Sequence, residues 1–217
     1  WCKELGVLSR AQAYGRGFFP LESSIGYDIP EGESWTTNWL KHKLGEEMSN
    51  EDYRRGRGYT MINKFVSSAA HLTGKRVVSC EEMTNTYQVF NATLEFLKLG
   101  SDMSILSGIT HSVLIGVNVS PPDIPFPGWV RYGAYFSEHN NWWPCMPQFT
   151  GYRARVSATL QNADMYTDIA LLPAYPDMWS EVGVKTEPFP DRLNVPYMTL
   201  VWEAIHKNGS GCDYTSE

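Results

Sequence analysis

The sequence predicts an α/β fold, specifically a partial (β/α)8 TIM-type barrel of parallel strands with flanking helices, forming one domain over residues 1–217. Three observations carry this reading. Short apolar strand candidates alternate with amphipathic runs. The strand candidates are continuously apolar rather than alternating, which suits a parallel sheet covered on both faces. Carboxylates stand where several of the strands end, and in α/β barrels the loops converge on one open face at that end. About five strands are legible, short of the eight that close a barrel. No GxGxxG or P-loop accompanies any of them, so a nucleotide-binding sheet has no support.

Taken in order, Trp1 to Gly6 reads as the last turn of a helix closed by Gly6, and Val7 to Ala13 as a strand. A glycine-rich loop follows, then a strand from Ile25 to Ile29 that ends in Asp28-Ile29-Pro30-Glu31-Gly32-Glu33. Three carboxylates in six residues around a Pro and a Gly place that stretch on a loop, solvated or functional. Residues 36–58 are polar and charged and read as a solvated surface insertion. The apolar spacing of Ile62, Phe65, Val66, Ala69 and Ala70 predicts a helix over 59–73, capped by Gly74. His71 at its end reads as a packed or dipole-compensating side chain.

Arg76 to Ser79 is the next strand, with Glu81 and Glu82 at its end. Glu81 has two readings there, a catalytic acid at the carboxyl end of a barrel strand or a residue favoured by the macrodipole of the following helix. Phe90, Leu94 and Leu97 mark a helix followed by Gly100, Asp102 to Leu106 a second helical turn, and Ser112 to Val117 a strand. His111, at the start of that strand, reads as a buried, satisfied histidine or as a partner for a sugar hydroxyl. The aromatic stretch from Asn118 to Pro144 is too long for an idle loop. A helix over 147–162, a strand from Asp168 to Leu172 with Asp177 and Trp179 in its exit loop, and a helix from Leu200 to Lys207 complete the chain.

The net charge of −6, with acids and bases mixed along the chain, disfavours a nucleic-acid partner, and no apolar run approaches the ~20 residues of a membrane span. Four cysteines form no CxxC pair, so a zinc site is not expected and spacing decides no disulfide. Eight Trp, twelve Tyr and nine Phe, many beside Pro, Gly or Asn, suit flat apolar sugar faces, although cores use aromatics too. Beside Asn140-Asn141, the pair Trp142-Trp143 reads as a stacking platform rather than core. The chain starts at Trp1 with no initiator Met or targeting segment and reads as a piece of a longer protein.

Eight blocks occur in a telling order: Arg10-Ala11-Gln12-Ala13, Asp28-Ile29-Pro30-Glu31 with Glu33, Ser68-Ala69-Ala70-His71, Ser79-Cys80-Glu81 with Thr84, Ser107-Gly108-Ile109 with His111, Pro127-Gly128-Trp129, Asn141-Trp142-Trp143 and Tyr152-Arg153-Ala154-Arg155. Together they resemble the central barrel of glycoside hydrolase family 106, the α-L-rhamnosidases. The resemblance implies an inverting glycosidase acting on terminal α-L-rhamnosides of plant or bacterial polysaccharides. Glu31, Glu33 and Glu81 are then the catalytic candidates. Asp28, His111 and Trp129, with Trp142, Trp143, Asp177 and Trp179, are expected to bind the sugar.

Calcium is implied by the resemblance alone, with Asp168 and Asp177 able to offer oxygen ligands and no metal ligand set assigned. The resemblance also implies further domains in the parent chain and a periplasmic or secreted parent; residues 1–217 alone are expected to be inactive or poorly stable, because an open parallel sheet leaves two edges unpaired. Two alternatives are a non-catalytic carbohydrate-binding barrel fragment and a glycosidase of different sugar specificity. The separation of the two carboxylates discriminates among mechanisms, being about 6.5–9.5 Å in inverting and about 5–5.5 Å in retaining enzymes.

Overall fold

A computed structural model describes residues 1–13, 19–34, 63–84, 90–129, 133–173 and 196–216. Four strands, β1 (Arg10–Ala11), β2 (Ile29–Glu33), β3 (Ser79–Glu82) and β4 (His111–Leu114), form one sheet in the order β1-β2-β3-β4. Every neighbouring pair is parallel. Among the described residues, the helices α1 (Pro20–Ile25), α2 (63–72) and α3 (Leu94–Leu106) lie between successive strands. A 3-10 turn at Trp143–Cys145 leads into α4 (Met146–Gln161). Parallel strands in chain order with helices between them are the arrangement of part of a (β/α) barrel.

Two further strands, β5 (Ala170–Leu171) and β6 (Asp213–Tyr214), pair in parallel with each other in a separate small sheet, with α5 (Pro196–Lys207) between them. The strand expected at Asp168 to Leu172 therefore exists in part, but it is not a fifth member of the main sheet. No strand is read from the sequence at β6.

Pairing corrects several boundaries. The strand expected over Ile25 to Ile29 is instead the end of α1, started by Pro20 at its first turn, followed by β2 from Ile29. Pro30 and Gly32 are poor strand formers. They are tolerated because β2 is flanked on both sides, and its pairing with β3 begins at Glu31, one residue beyond the missing N–H of Pro30. The third strand runs Ser79–Glu82 rather than Arg76 to Ser79, so Glu81 and Glu82 lie within it and not in its exit loop.

Helix α3 passes through Gly100 without a break. A mid-helix glycine costs about 1 kcal/mol relative to alanine, while Phe96 and Leu97 before it and Met103 after it are all buried on one core. Thr93 caps this helix, its hydroxyl accepting from Phe96 N at 3.2 Å. Gly74 closes α2 as expected: its φ is +69° and Lys75 N donates back to Ala70 O at 2.8 Å.

Helix α2 is buried from 63 to 70 because it is packed on two sides. Val66 and Ala70 meet Val78, Cys80 and Ile109 against the main sheet. Phe65 and Ala69 meet Leu21, Trp202 and Tyr214 on the other side. Its lysine is neutralised in place: Lys64 Nζ donates to Asp213 Oδ1 at 2.9 Å, and Asp213 Oδ2 also takes Thr167 Oγ1 at 2.6 Å and the His71 ring. His71 is thus a packed histidine that helps tie β6 to α2.

Candidate active site

Side chains alternate across a strand, so register decides which residues share a face. Glu31 pairs with Ser79, and Ser79 with His111; Glu33 pairs with Glu81, and Glu81 with Val113. All of these occupy one face of the sheet. Gly32, Cys80, Glu82, Ser112 and Leu114 occupy the other, the face covered by helices. Glu31, Glu33 and Glu81 thus lie on one face, and His111, the first residue of β4, stands in the same row as Glu31 and Ser79, exposed.

Glu31 is nearly buried, at 8% exposure, and surrounded by donors. Ser79 Oγ donates to its Oε2 at 2.6 Å, Arg10 Nε lies 3.2 Å from the same oxygen, and Gln12 Nε2 donates to Oε1 at 3.3 Å. The same Gln12 nitrogen donates to Glu81 Oε2 at 2.8 Å, and Thr84 Oγ1 donates to Glu81 Oε1 at 3.3 Å. The two oxygens that share the amide stand no farther apart than those two bonds laid end to end, and the amide fills the space between them. A water cannot occupy it. Glu33, half-buried, stands beside Glu81 on the neighbouring strand, and the ladder continues past both through Ser34 N to Glu81 O at 2.8 Å.

Glu82 is a different kind of carboxylate. Fully buried on the helix face, it accepts from Ser112 Oγ at 2.6 Å, Ser101 Oγ at 3.1 Å and Arg153 Nη2 at 3.3 Å. Burial pushes its carboxyl above the usual range, against the opposing pull of Arg153 and the serine hydroxyls. It anchors α3 and α4 to β3.

Other candidates are placed elsewhere. Asp28 lies at the amino end of β2, the end opposite Glu33, where its Oδ2 accepts from Ser9 N at 2.8 Å and Ser9 Oγ at 2.7 Å. These bonds hold its carboxyl below the usual range, and it is a strand-entry brace rather than a neighbour of the glutamates. Trp142 and Trp143 are half-buried. Both pack on the core under α3 and α4, and the Trp142 indole N–H donates to Ala92 O at 2.7 Å while its ring meets Phe136 edge-on at 5.8 Å.

Trp129 is exposed on the loop after β4, its backbone held by Ser120 Oγ at 2.7 Å. Asp177 and Trp179 lie outside the described residues. Asp168 is exposed just ahead of β5, away from the main sheet.

Among the described residues no three His, Cys, Asp or Glu side chains converge to hold a metal ion. Of the two residues offered as oxygen ligands for the calcium the resemblance implies, Asp168 is exposed and Asp177 lies outside the described residues. The four cysteines are free thiols.

Gln12 was not among the residues expected from the sequence, although it stands inside the first of the eight blocks. A glutamine carries no signal of chemistry until its partners are known.

Most of the chain, including β2 and β3 with their glutamates, is matched by a family model. The model described as alpha-L-rhamnosidase, glycoside hydrolase family 106, covers residues 18–188. The chain belongs to glycoside hydrolase family 106. A rhamnosidase from Novosphingobium sp. PP1Y superimposes with a TM-score of 0.65 at 18% identity, over 99% of this chain and 18% of that one. The chain therefore spans under a fifth of that structure's length, and the likeness bears on the fold. A search of curated proteins found no match. Within this family 106 chain the parallel sheet and its glutamates lie in the part the family model covers, apart from β1.

Proposed function

We propose that the enzyme to which this chain contributes cleaves terminal α-L-rhamnosides of plant or bacterial polysaccharides with inversion, using Glu33 and Glu81 as the acid and base. The observation that carries this reading is that Glu33 and Glu81 share the face of adjacent parallel strands opposite the one on which α2, α3 and α4 pack; in register their Cα atoms stand about 4.8 Å apart, so inversion requires the two side chains to diverge to the ~6.5 Å or more that admits a water. Membership of the rhamnosidase family supports the substrate class. Glu31 is set aside from the acid-base pair because three donors already hold it and an amide fills the gap to Glu81.

In such a reaction one carboxyl gives its proton to the glycosidic oxygen as the bond to the anomeric carbon breaks. The other takes a proton from the water that attacks from the opposite face. The reading of His111 as a partner for a sugar hydroxyl is supported by its exposure in the row beside Ser79 and Glu31. A parent that is periplasmic or secreted fits a polysaccharide substrate.

The test is the anomeric configuration of the first sugar released, followed by NMR in the full-length enzyme, together with turnover of Glu81→Gln and Glu33→Gln. Inversion with both variants slowed ~100- to 10,000-fold is expected from loss of acid-base assistance. Near wild-type turnover in both would leave a carbohydrate-binding module as the better reading.

A further inference from the structure

We infer that Gln12 is a positioning residue for Glu81, holding its carboxylate in line for catalysis through a fixed relay from Arg10 and Glu31; the inference rests on the reading of Glu81 proposed above. A glutamine side-chain nitrogen has two N–H donors and no acceptor. Here one goes to each carboxylate, to Glu31 Oε1 at 3.3 Å and to Glu81 Oε2 at 2.8 Å.

Glu31 is a rigid base for the relay. It is nearly buried, and its other oxygen is held by Ser79 Oγ at 2.6 Å and Arg10 Nε at 3.2 Å. Glu81, by contrast, is only half-buried, and its remaining oxygen takes a long 3.3 Å bond from Thr84. Three rotatable side-chain bonds separate its carboxylate from the strand, so its direction depends on the partner that holds it.

Remove the amide and two carboxylates face each other with nothing to bridge them. Their repulsion would turn the freer one, Glu81, away. A displacement of ~1 Å at a reacting group is worth up to about 100-fold in rate. Uniform binding of the sugar would be largely untouched, because Gln12 acts through Glu81.

The experiment is a double-mutant cycle on a terminal α-L-rhamnoside with the full-length enzyme. In Gln12→Leu, kcat is expected to fall about 10- to 100-fold with KM within about threefold and the melting temperature within a few degrees. In a Glu81→Gln background the same change should cost less than about twofold, since the group being positioned is already gone. Should Gln12→Leu fail to fold, Gln12→Glu keeps the volume, replaces the donor by an acceptor, and is expected to show the same coupling.

Wild-type kcat in the Gln12 variant, or a loss that persists undiminished beside Glu81→Gln, overturns the proposal. Wild-type kcat in Glu81→Gln alone removes Glu81 from catalysis and the tether with it. A slow Glu81→Gln with an unaffected Gln12 variant overturns the tether only.

Discussion

Gly32 lies so close to Asn63 that a Cβ on the glycine would stand 2.0 Å from Asn63 Oδ1. Asn63 is fully buried at the start of α2, and Gly32 separates Glu31 from Glu33. How closely α2 presses on the back of β2 thus sets where β2, and with it both glutamates, sits. Gly32→Ala is expected to cost about 1–3 kcal/mol by overpacking and to lower kcat by shifting β2. Asn63→Ala in the same chain should recover much of the stability, checked by chemical denaturation of single and double variants.

Activated aryl rhamnosides separate the two catalytic roles. Their leaving groups need little protonation, so the variant lacking the acid keeps activity on them and the variant lacking the base does not. Of Glu33→Gln and Glu81→Gln, one is expected to hydrolyse an aryl rhamnoside within about tenfold of wild type while being crippled on a natural glycoside. Equal behaviour on both substrates in both variants would break the pairing.

The Glu82 and Arg153 pair is a folding device, not a catalytic one, and its pH dependence has a definite sign. Arg153→Met leaves a buried carboxylate without its cation and is expected to cost about 3–5 kcal/mol at neutral pH. Because burial raises the folded carboxyl above its ordinary 4.5, ionising it opposes folding. Stability is therefore full below that value and declines as pH rises toward the folded one. Losing Arg153 deepens the decline, so the deficit of Arg153→Met should shrink as pH is lowered toward 4.5. Melting temperatures across that range check it.

Asp213 behaves in the opposite sense. Burial raises its carboxyl, but Lys64, Thr167 and His71 outweigh burial and hold it below its ordinary 3.8. Its contribution is present above that value and is lost as pH falls through the lower, folded one. Asp213→Asn, which leaves Lys64 buried without its counter-charge, is expected to cost about 3–5 kcal/mol at pH 7. The gap to wild type should close only in strongly acidic solution, and a pH-independent gap would contradict the assignment.

What the sequence by itself determined was local. The apolar spacing that predicts a helix over 147–162 is met by Met146–Gln161, and Gly74 ends α2 because a left-handed turn is a property of that residue and its immediate neighbours. The three glutamates were legible as residue types at strand ends. Their mutual arrangement was not. Whether Pro30-Glu31-Gly32-Glu33 is loop or strand depends on partners in β1 and β3, and the register that sets Glu33 beside Glu81 is a pairing across residues 48 apart in the chain.

The same physics explains Gln12, 69 residues from Glu81, and Trp142, whose indole finds a carbonyl 50 residues away. A side chain's role in such a site is fixed by which distant groups share its face and satisfy its hydrogen bonds. Strand pairing brings Gln12 to Glu81, and the packing of α3 and α4 brings Trp142 to Ala92.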